Sequence, residues 1–475
     1  MTNQDNSLRF GSGNLAFILC FAAVVVAGIL VGYTWEGAKP SSSVKNDPAV
    51  EVSGQEVNGQ ENVGQANDDR RQLAGLQVHR FPLNEADIND GIEAPTFAIL
   101  DSGRMALAWA TTVSATARQV MMVTSEDNGR TFSSATPVVT TGIHTSISKM
   151  RGRTVERKTR TLPHLAAHGE TLFLAWVDAA EDRASVVMKL SESVDATLAF
   201  SDPIPVHQST AARPTFTSMS IGDDGTIACS WLDNRNKVQQ PFASVRRPDK
   251  TQFEPEKMVY AGPDERGICP CCPTAAFVSN GDVLVTFRAN EGGFRDMWTA
   301  TWPSNASGFQ APVPHVKPTW KFDGCPHDGP AICKTSHGLH VAWMDAHTGT
   351  EQVYVGTNGS VAQPTSISHA ATRGKISMES QSVSAGHPQL AAYQDVLYLA
   401  WDQSLPSGRA IFLAKSIDGG ETFSSAIALA PTAGHFQTRP RIRISKDGRI
   451  VVAWMELSRA GKSVVVATVP NETLK

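Results

Sequence analysis

A short motif recurs seven times between residues 95 and 454 and limits the possible folds more than any other feature of the chain. Each copy begins with Pro, continues through an apolar stretch and a Gly or Asp turn, and ends in Ala-Trp or a variant of it. A repeat spaced by roughly 50–70 residues indicates a fold built from stacked units. The leading prolines and closing aromatics are Pro95, Pro163, Pro214, Pro273, Pro330, Pro388 and Pro440, and Trp109, Trp176, Trp231, Phe287, Trp343, Trp401 and Trp454.

Each copy predicts two antiparallel strands joined by a tight turn, and the β-branched residues that follow it predict two more strands. Repeated four-stranded units are typical of an all-β fold, the β-propeller. We expect seven blades, or six if one copy is only a connecting hairpin. After the seventh copy only "KSVVVATVP" remains, so residues 76–84, "LQVHRFPLN", are predicted to supply the missing outer strand.

Residues 1–75 differ in composition from the repeats. Residues 14–33 are an uncharged apolar run long enough to cross a bilayer as one helix. We expect a signal anchor at 14–33, a cytoplasmic segment at 1–13 that carries Arg9, a disordered linker at 34–75, and the propeller at 76–475. The sequence thus predicts a single-pass membrane protein with its domain in the periplasm or outside the cell. The net charge of −4 gives no reason to expect nucleic-acid binding.

Two of the repeat units carry an additional turn motif, S-x-D-x-G-x-T-F. The copies are Ser125, Asp127, Gly129, Thr131 and Phe132, and Ser416, Asp418, Gly420, Thr422 and Phe423. The Asp is expected to accept backbone N–H bonds, the Gly to take an unusual backbone angle, and the Phe to pack on the blade. Over residues 76–475 the chain resembles the Asp-box (BNR-repeat) propellers of the sialidase superfamily. The motif is structural and identifies no reaction.

The strand order places the leading prolines and the residues after each Trp at one mouth of the channel. In the resembled family this mouth binds ligands: three arginines grip a carboxylate, a Tyr paired with a Glu attacks, and an Asp acts as acid and base. Here Glu93 replaces the first arginine. Tyrosines in the domain are predicted on outer strands, in mid-strand or at the opposite turn: Tyr260, Tyr354, Tyr393 and Tyr398. The resemblance therefore implies a propeller without ordinary sialidase chemistry.

Other side chains predicted at the mouth could bind a ligand. Arg213, Arg439, His164 and His387 lie at strand starts and are the candidates for binding a glycan or another anionic ligand. Five acids follow the Trp positions: Asp178, Asp233, Asp345, Asp402 and Glu456. The loop 149–160, "KMRGRTVERKTR", is predicted to overhang the same face and also suggests an anionic ligand.

Four of the seven cysteines are expected to converge between the fourth and fifth units. Cys269, Cys271 and Cys272 lead into one unit, and Cys325 leads into the next, two residues before His327. In an oxidising compartment the first expectation is a disulfide from Cys325 to one of the other three. The alternatives are a copper or zinc site and a redox site, since a vicinal Cys271–Cys272 disulfide would be strained.

Three functions follow from these features. The first is a membrane-anchored module that binds a glycan or another anionic ligand at the mouth. The second is a glycoside hydrolase that uses two mouth carboxylates, Glu93 and Asp328, as its acid–base pair. The third is a metal or redox protein centred on the cysteines and His327. The sequence alone does not separate them.

Overall fold

The computed structural model describes residues 75–83, 92–150, 153–179, 186–193, 199–263, 267–316, 318–357, 365–366, 383–470 and 474. All of them belong to one compact unit, Arg70–Lys475. The predicted cytoplasmic segment, anchor and almost all of the linker lie outside the described residues. Within the described residues, no helix has both the length and the apolar character needed to span a bilayer.

The described secondary structure consists of strands. The first half contains β1 (Gln77–Pro82), β2 (Thr96–Ile99), β3 (Met105–Thr112), β4 (Ala117–Ser125), β5 (Thr136–Gly142), β6 (Thr145–Met150), β7 (Arg153–Lys158), β8 (His164–His168), β9 (Thr171–Ala179), β10 (Val186–Glu192), β11 (Ile204–Pro205), β12 (Thr215–Ile221), β13 (Ile227–Asp233), β14 (Gln240–Arg246) and β15 (Lys257–Met258). The second half contains β16 (Ala275–Ser279), β17 (Asp282–Arg288), β18 (Met297–Trp302), β19 (Val313–Pro314), β20 (Ala331–Thr335), β21 (Gly338–Asp345), β22 (Gln352–Thr357), β23 (Thr365–Ser366), β24 (Ala385–Tyr393), β25 (Val396–Leu405), β26 (Gly408–Ser416), β27 (Ile427–Leu429), β28 (Phe436–Ile444), β29 (Ile450–Ser458) and β30 (Gly461–Val469).

Apart from the β6–β7 hairpin, these strands form seven four-stranded antiparallel groups in the described part of the chain. Groups 1 to 7 begin with β2, β8, β12, β16, β20, β24 and β28. Each of these first strands contacts the first strand of the next group, and β28 contacts β2. A ring of four-stranded groups around their first strands is the architecture of a propeller. Groups 6 and 7 are also joined by one parallel pairing between β26 and β28.

The predicted closing strand is confirmed. β1 pairs with β30 over its whole length, from Gln77 opposite Thr468 to Pro82 opposite Ser463. Group 7 therefore takes three strands from the C-terminal end of the domain and its outer strand from the N-terminal end. The recurrent aromatic lies on the second strand of each group and is at most 5% exposed in all seven. Burial of these large rings between neighbouring groups is a main source of stabilisation.

The two S-x-D-x-G-x-T-F turns form the hydrogen bonds that their sequence predicts. In the first, the hydroxyl of Ser125 donates to Asp127, which accepts from the amide and hydroxyl of Thr131. The second repeats this arrangement at Ser416, Asp418 and Thr422. These bonds lower the pKa of both aspartates to about 2, in Asp418 against the opposing effect of burial. Both turns join the third strand of their group to the fourth.

A repeated backbone feature shapes the mouth. The residue before the leading proline has a positive φ in groups 2, 6 and 7, which is uncommon for residues with a side chain. Its amide donates to a carboxylate that belongs to the preceding group. The three bonds are Leu162 to Glu93, His387 to Asp328 and Arg439 to Asp402. Each bond connects neighbouring groups, and in groups 6 and 7 it accompanies a bulge at the start of the first strand.

Candidate functional site

Three arginines lie at alternate positions of β28, the first strand of group 7. Side chains at i and i+2 share one face of a strand, so Arg441 and Arg443, which follow the bulge, point the same way, whereas Arg439 lies within the bulge. The charges of Arg441 and Arg443 act on His164 at the start of β8, although group 1 lies between the two strands. His164 therefore lies within electrostatic range of both arginines. We call the three residues the arginine strand.

The arginine strand carries uncompensated positive charge. Arg441 and Arg443 each donate to the carbonyl of the preceding residue. Among the described residues, neither they nor Arg439 form an ion pair with a carboxylate. Burial and the neighbouring guanidinium groups lower the pKa of Arg441 to about 10. The pKa of Arg443 is also lowered, although its side chain is exposed to solvent. Burial in the channel and the two arginine charges lower the pKa of His164 to about 3.

The carboxylates nearest Arg439 are already engaged elsewhere. Glu93, Asp328 and Asp402 all act on Arg439, as does the charge of Arg160. Both oxygens of Glu93 have partners, because Oε1 accepts from Arg118 Nη1 at 2.8 Å and Oε2 accepts from the Leu162 amide at 2.9 Å. Glu93 thus joins groups 1 and 2.

Asp402 is the most heavily bonded of these acids. It is fully buried and accepts from the side chains of His387, Arg409 and Thr438 and from the amide of Arg439. Burial alone would raise the pKa of Asp402, but His387 and Arg409 hold it far below its ordinary value. Asp402 therefore keeps its charge, and Arg409 forms an ion pair with it.

Asp328 has one engaged oxygen and one free oxygen. Oδ2 accepts from the His387 amide at 2.6 Å, whereas Oδ1 is buried without a hydrogen-bond partner. Burial raises the pKa of Asp328, although the charges of His387 and Arg288 oppose the change. The contacts of the described residues do not test whether Asp328 and Glu93 act as an acid–base pair, so that role stays a prediction.

The other two candidate ligand residues differ from each other. Arg213 donates to the carbonyls of Thr210 and Ala212 at 3.3 and 2.7 Å, so its guanidinium is turned to its own loop. His387 donates through Nδ1 to Asp402 at 2.8 Å, and its side chain is 26% exposed. Its ring is therefore oriented by a carboxylate with Nε2 left for a ligand, which makes it the stronger candidate.

The structure brings the predicted cysteines together with His327. Cys269 Sγ lies 3.8 Å from Cys271 Sγ and 3.5 Å from Cys272 Sγ. The ligand atoms of Cys271, Cys325 and His327 also lie within 4.8 Å of one another. We call these five residues the sulfur cluster. Its first three cysteines are buried and Cys325 is exposed, and every cysteine that the structure describes is free.

The loop that carries the three buried sulfurs is fixed by its backbone. Gly267 has a φ of 66°, and a Cβ there would lie 2.3 Å from the carbonyl oxygen of Gln239. Two residues later, the Cys269 amide donates to the carbonyl of Arg288. Hydrogen bonds from the other two thiols, with the charges of Arg288 and Arg295, lower the pKa of Cys269, and the pKa values of Cys271 and Cys272 are raised.

A Tyr–Glu pair that sequence reasoning missed connects groups 3 and 4. The hydroxyl of Tyr260, just after β15, donates to Glu291 at 2.6 Å. The Tyr260 ring lies between Phe287 and Trp298, with centroid distances of 5.7 and 5.8 Å. Burial and the Glu291 carboxylate raise the pKa of Tyr260 to about 12, which is the opposite of what an attacking phenolate needs. The pair fits a packing role.

The predicted basic loop is a hairpin, β6–β7, between groups 1 and 2. Arg151 lies outside the described residues, and Lys158 and Arg160 are exposed.

Most acids after the Trp positions pair with neighbouring turns or strands. Asp178 pairs with Lys189, Asp233 with Arg235, Asp345 with His347, and Glu456 with Arg80.

The string "RPRIRIS" carried the signal for the arginine strand, since its alternation on a predicted strand puts the arginines on one face.

Comparisons with known proteins find remote likeness only. No protein-family model matches the chain, and no curated protein matches it in sequence. Among solved structures, a Trypanosoma rangeli sialidase in complex with the inhibitor DANA has 10% identity and a TM-score of 0.41, over 68% of this chain and 57% of that one. A Penicillium chrysogenum alpha-L-arabinanase has 14% identity and a TM-score of 0.45, over 83% and 98%. The propeller assignment rests on the strand pairing described above.

Proposed function

We propose that the channel mouth binds a carboxylated glycan and that the arginine strand holds its negative charge. The observation that carries the proposal is the set of guanidinium groups on β28 that face the channel without a carboxylate partner among the described residues. A partly buried cation without a partner, such as Arg441, is costly, and an anionic ligand compensates it. The acids around Arg439 do not serve this role, since Glu93 and Asp402 are paired with other cations.

An exposed aromatic ring beside these cations supports a sugar ligand. Phe436 begins β28, three residues before Arg439, and is 45% exposed. The guanidinium of Arg409 lies 5.8 Å from the centre of its ring, while that guanidinium is held by Asp402. An aromatic surface with a few fixed polar groups is the usual lining of a small-molecule site. Phe436 would contact the apolar face of a sugar and the arginines its carboxylate.

The proposal does not include ordinary sialidase chemistry. Tyr260, whose hydroxyl donates to Glu291, has a raised pKa and packs against two aromatic rings. Glu93 stands where the resembled family has its first arginine. We expect the protein to bind sialosides or related acidic sugars without releasing sialic acid at a rate typical of that family.

Calorimetric titration of the full-length chain tests the proposal. The probes are carboxylated oligosaccharides, each with its neutral counterpart, such as sialyllactose with lactose. We expect binding of carboxylated members only, and a loss of affinity of about tenfold or more for Arg441→Gln, since a hydrogen bond to a charged group contributes about 1.5–3 kcal/mol. Affinity should also fall with salt.

Lys446→Gln is the matched control for this titration. Lys446 lies in the turn after β28, in the same group, but it is exposed and pairs with Asp101 at 2.6 Å. Its removal changes the net charge by the same amount without touching the arginine strand. Equal binding of neutral and carboxylated sugars, or equal losses for Arg441→Gln and Lys446→Gln, would contradict the proposal.

We also infer the context in which the domain acts. The seven groups are interpreted as seven blades, the two S-x-D-x-G-x-T-F turns as Asp boxes, and residues 14–33 as the anchor that keeps the domain outside the cytoplasm. The uncharged run at 14–33 supports the anchor. Extraction of membranes at alkaline pH should leave the full-length chain in the pellet, and release into the supernatant would contradict the anchor.

A further inference from the structure

The sulfur cluster has the arrangement of a metal site rather than of packing alone. With metal–sulfur bonds of about 2.3 Å and tetrahedral or trigonal angles, two sulfur ligands lie about 3.8–4.0 Å apart. Cys269 Sγ is 3.8 Å from Cys271 Sγ and 3.5 Å from Cys272 Sγ. The three sulfurs are therefore spaced to bind one ion after shifts of a few tenths of an ångström.

The donors are arranged in threes. Cys269, Cys271 and Cys272 form one compact set, and Cys271, Cys325 and His327 form the other, so Cys271 is shared. The first set is buried, whereas Cys325 and His327 are exposed. Structural zinc sites are almost always four-coordinate, and soft thiolate ligands also select Cu(I). Three sulfurs without a fourth compact donor match Cu(I) better than zinc.

Two buried arginines place positive charge beside the cysteines of the sulfur cluster. Arg288 is 1% exposed and donates to three backbone carbonyls, those of Arg295, Asp328 and Met344. Arg295 is 8% exposed, and its Nη1 is buried without a hydrogen-bond partner. Among the described residues, no carboxylate pairs with either guanidinium. Both charges act on Cys269.

These charges fit a copper–thiolate group. Three thiolates with one Cu(I) carry two negative charges, and the two buried arginines carry two positive ones. A buried charge is stable only if it is paired, so the arginines and the loaded cluster each supply what the other needs. Without an anionic cluster, the two guanidinium groups would be buried beside neutral thiols.

We propose that the sulfur cluster binds one Cu(I) ion through Cys269, Cys271 and Cys272, and that Cys325 and His327 form the surface entry that shares Cys271. This site lies between groups 4 and 5 and goes beyond the proposed binding of a glycan. Metal binding gives these cysteines a role other than cross-linking. A disulfide from Cys325 to Cys271 would remove the shared ligand and prevent the binding.

Competition with a Cu(I)-specific chromophoric chelator tests the site in the reduced full-length chain under anaerobic conditions. We expect one tightly bound Cu(I) per chain. Cys271→Ser should lower the affinity by more than the about 10–100-fold that loss of an outer-shell partner costs. Cys333→Ser is the matched control, because Cys333 is a buried cysteine of β20 outside the cluster. His327→Ala should slow copper uptake and leave the stoichiometry at one.

Two further measurements keep the proposal falsifiable if Cys271→Ser does not fold. X-ray absorption of the copper-loaded wild-type chain should show a sulfur-only first shell of three ligands, and a parallel titration with Zn(II) should show weaker binding. Thiol counting on protein taken from its own compartment should find the cluster thiols unoxidised. The proposal is overturned by free thiols that bind no copper, by a preference for zinc, by a first shell with fewer sulfurs, or by a native disulfide within the cluster.

Discussion

The mouth of the channel has two sides that use arginine in opposite ways. On the side of groups 4 and 5, Arg288 and Arg295 are buried, and Arg288 is held by three backbone carbonyls. On the side of group 7, Arg441 and Arg443 face the channel with one backbone bond each. A cation fixed by the backbone belongs to the scaffold and sets the local charge. A cation with little support is available to a ligand.

Arg288→Met should cause the largest loss of stability. It leaves three carbonyls without a donor, and each unsatisfied buried group costs about 1–3 kcal/mol, so we expect a loss of about 3–5 kcal/mol. Arg443→Met should change the free energy of unfolding by at most about 0.5 kcal/mol, because surface substitutions rarely do more. Denaturant titration of both variants measures the difference. Equal losses would mean that the two sides do not differ.

Asp402→Asn should have the next largest effect. The substitution removes the charge that Arg409 and His387 share, and we expect a loss of about 2–4 kcal/mol at pH 7. Since the folded pKa of Asp402 lies below its unfolded value, its contribution is present above the unfolded pKa and is lost as the pH falls below it. The variant should therefore show a weaker decline of stability in acid.

Asp345→Asn is the control for Asp402→Asn, since Asp345 also follows a buried Trp on a second strand. It accepts from the amide and ring of His347 in its own turn, and among the described residues it makes no bond to the next group. We expect about half the loss or less. A larger loss for Asp345→Asn would show that the bonds between groups 6 and 7 contribute little.

His164→Gln should have a smaller, pH-dependent effect. The pKa of His164 is about 3 in the folded chain, below its ordinary 6.5, so only the unfolded chain takes up this proton as the pH falls through that interval. Protonation of the unfolded state lowers the stability of the wild type. His164→Gln should thus lose about 1–2 kcal/mol less than wild type between pH 7 and pH 5.

Unfolding measurements at the two pH values check this prediction, with Arg441→Gln as a second variant. Loss of the Arg441 charge should raise the pKa of His164 and shrink its contribution, which histidine NMR titration reads directly. An unchanged pKa of His164 in Arg441→Gln would show that the charge of Arg441 does not act on His164.

Asp127→Ala should cause the smallest loss of stability, because it removes the acceptor of one exposed turn. The turn lies at the end of the group away from the mouth, so neither the affinity for an acidic sugar nor Cu(I) binding should change. Asp249→Ala is the control, since Asp249 is exposed and pairs only with Lys250. A change in either binding constant would show that the turn face of the group is coupled to the mouth.

The sequence predicted the ring and the meeting of the cysteines, but not the charge state of the mouth. The prolines and aromatics recur in phase with the strands, and the order of the units brings Cys271 near Cys325. By contrast, the role of Glu93 depends on Arg118 and on the amide of Leu162, which is 69 residues away. The Tyr260–Glu291 contact likewise joins two groups. Periodicity reports which face a side chain takes, whereas such pairings depend on how neighbouring groups pack.

A crossed binding experiment tests most directly whether the two sides of the mouth are separate sites. The full-length chain, Arg441→Gln and Cys271→Ser are each titrated with a carboxylated oligosaccharide that binds the wild type and with Cu(I). We expect Arg441→Gln to lose affinity for the sugar and keep Cu(I), and Cys271→Ser to lose Cu(I) and keep the sugar. Loss of both ligands in one folded variant, or of neither ligand in both variants, would contradict the account.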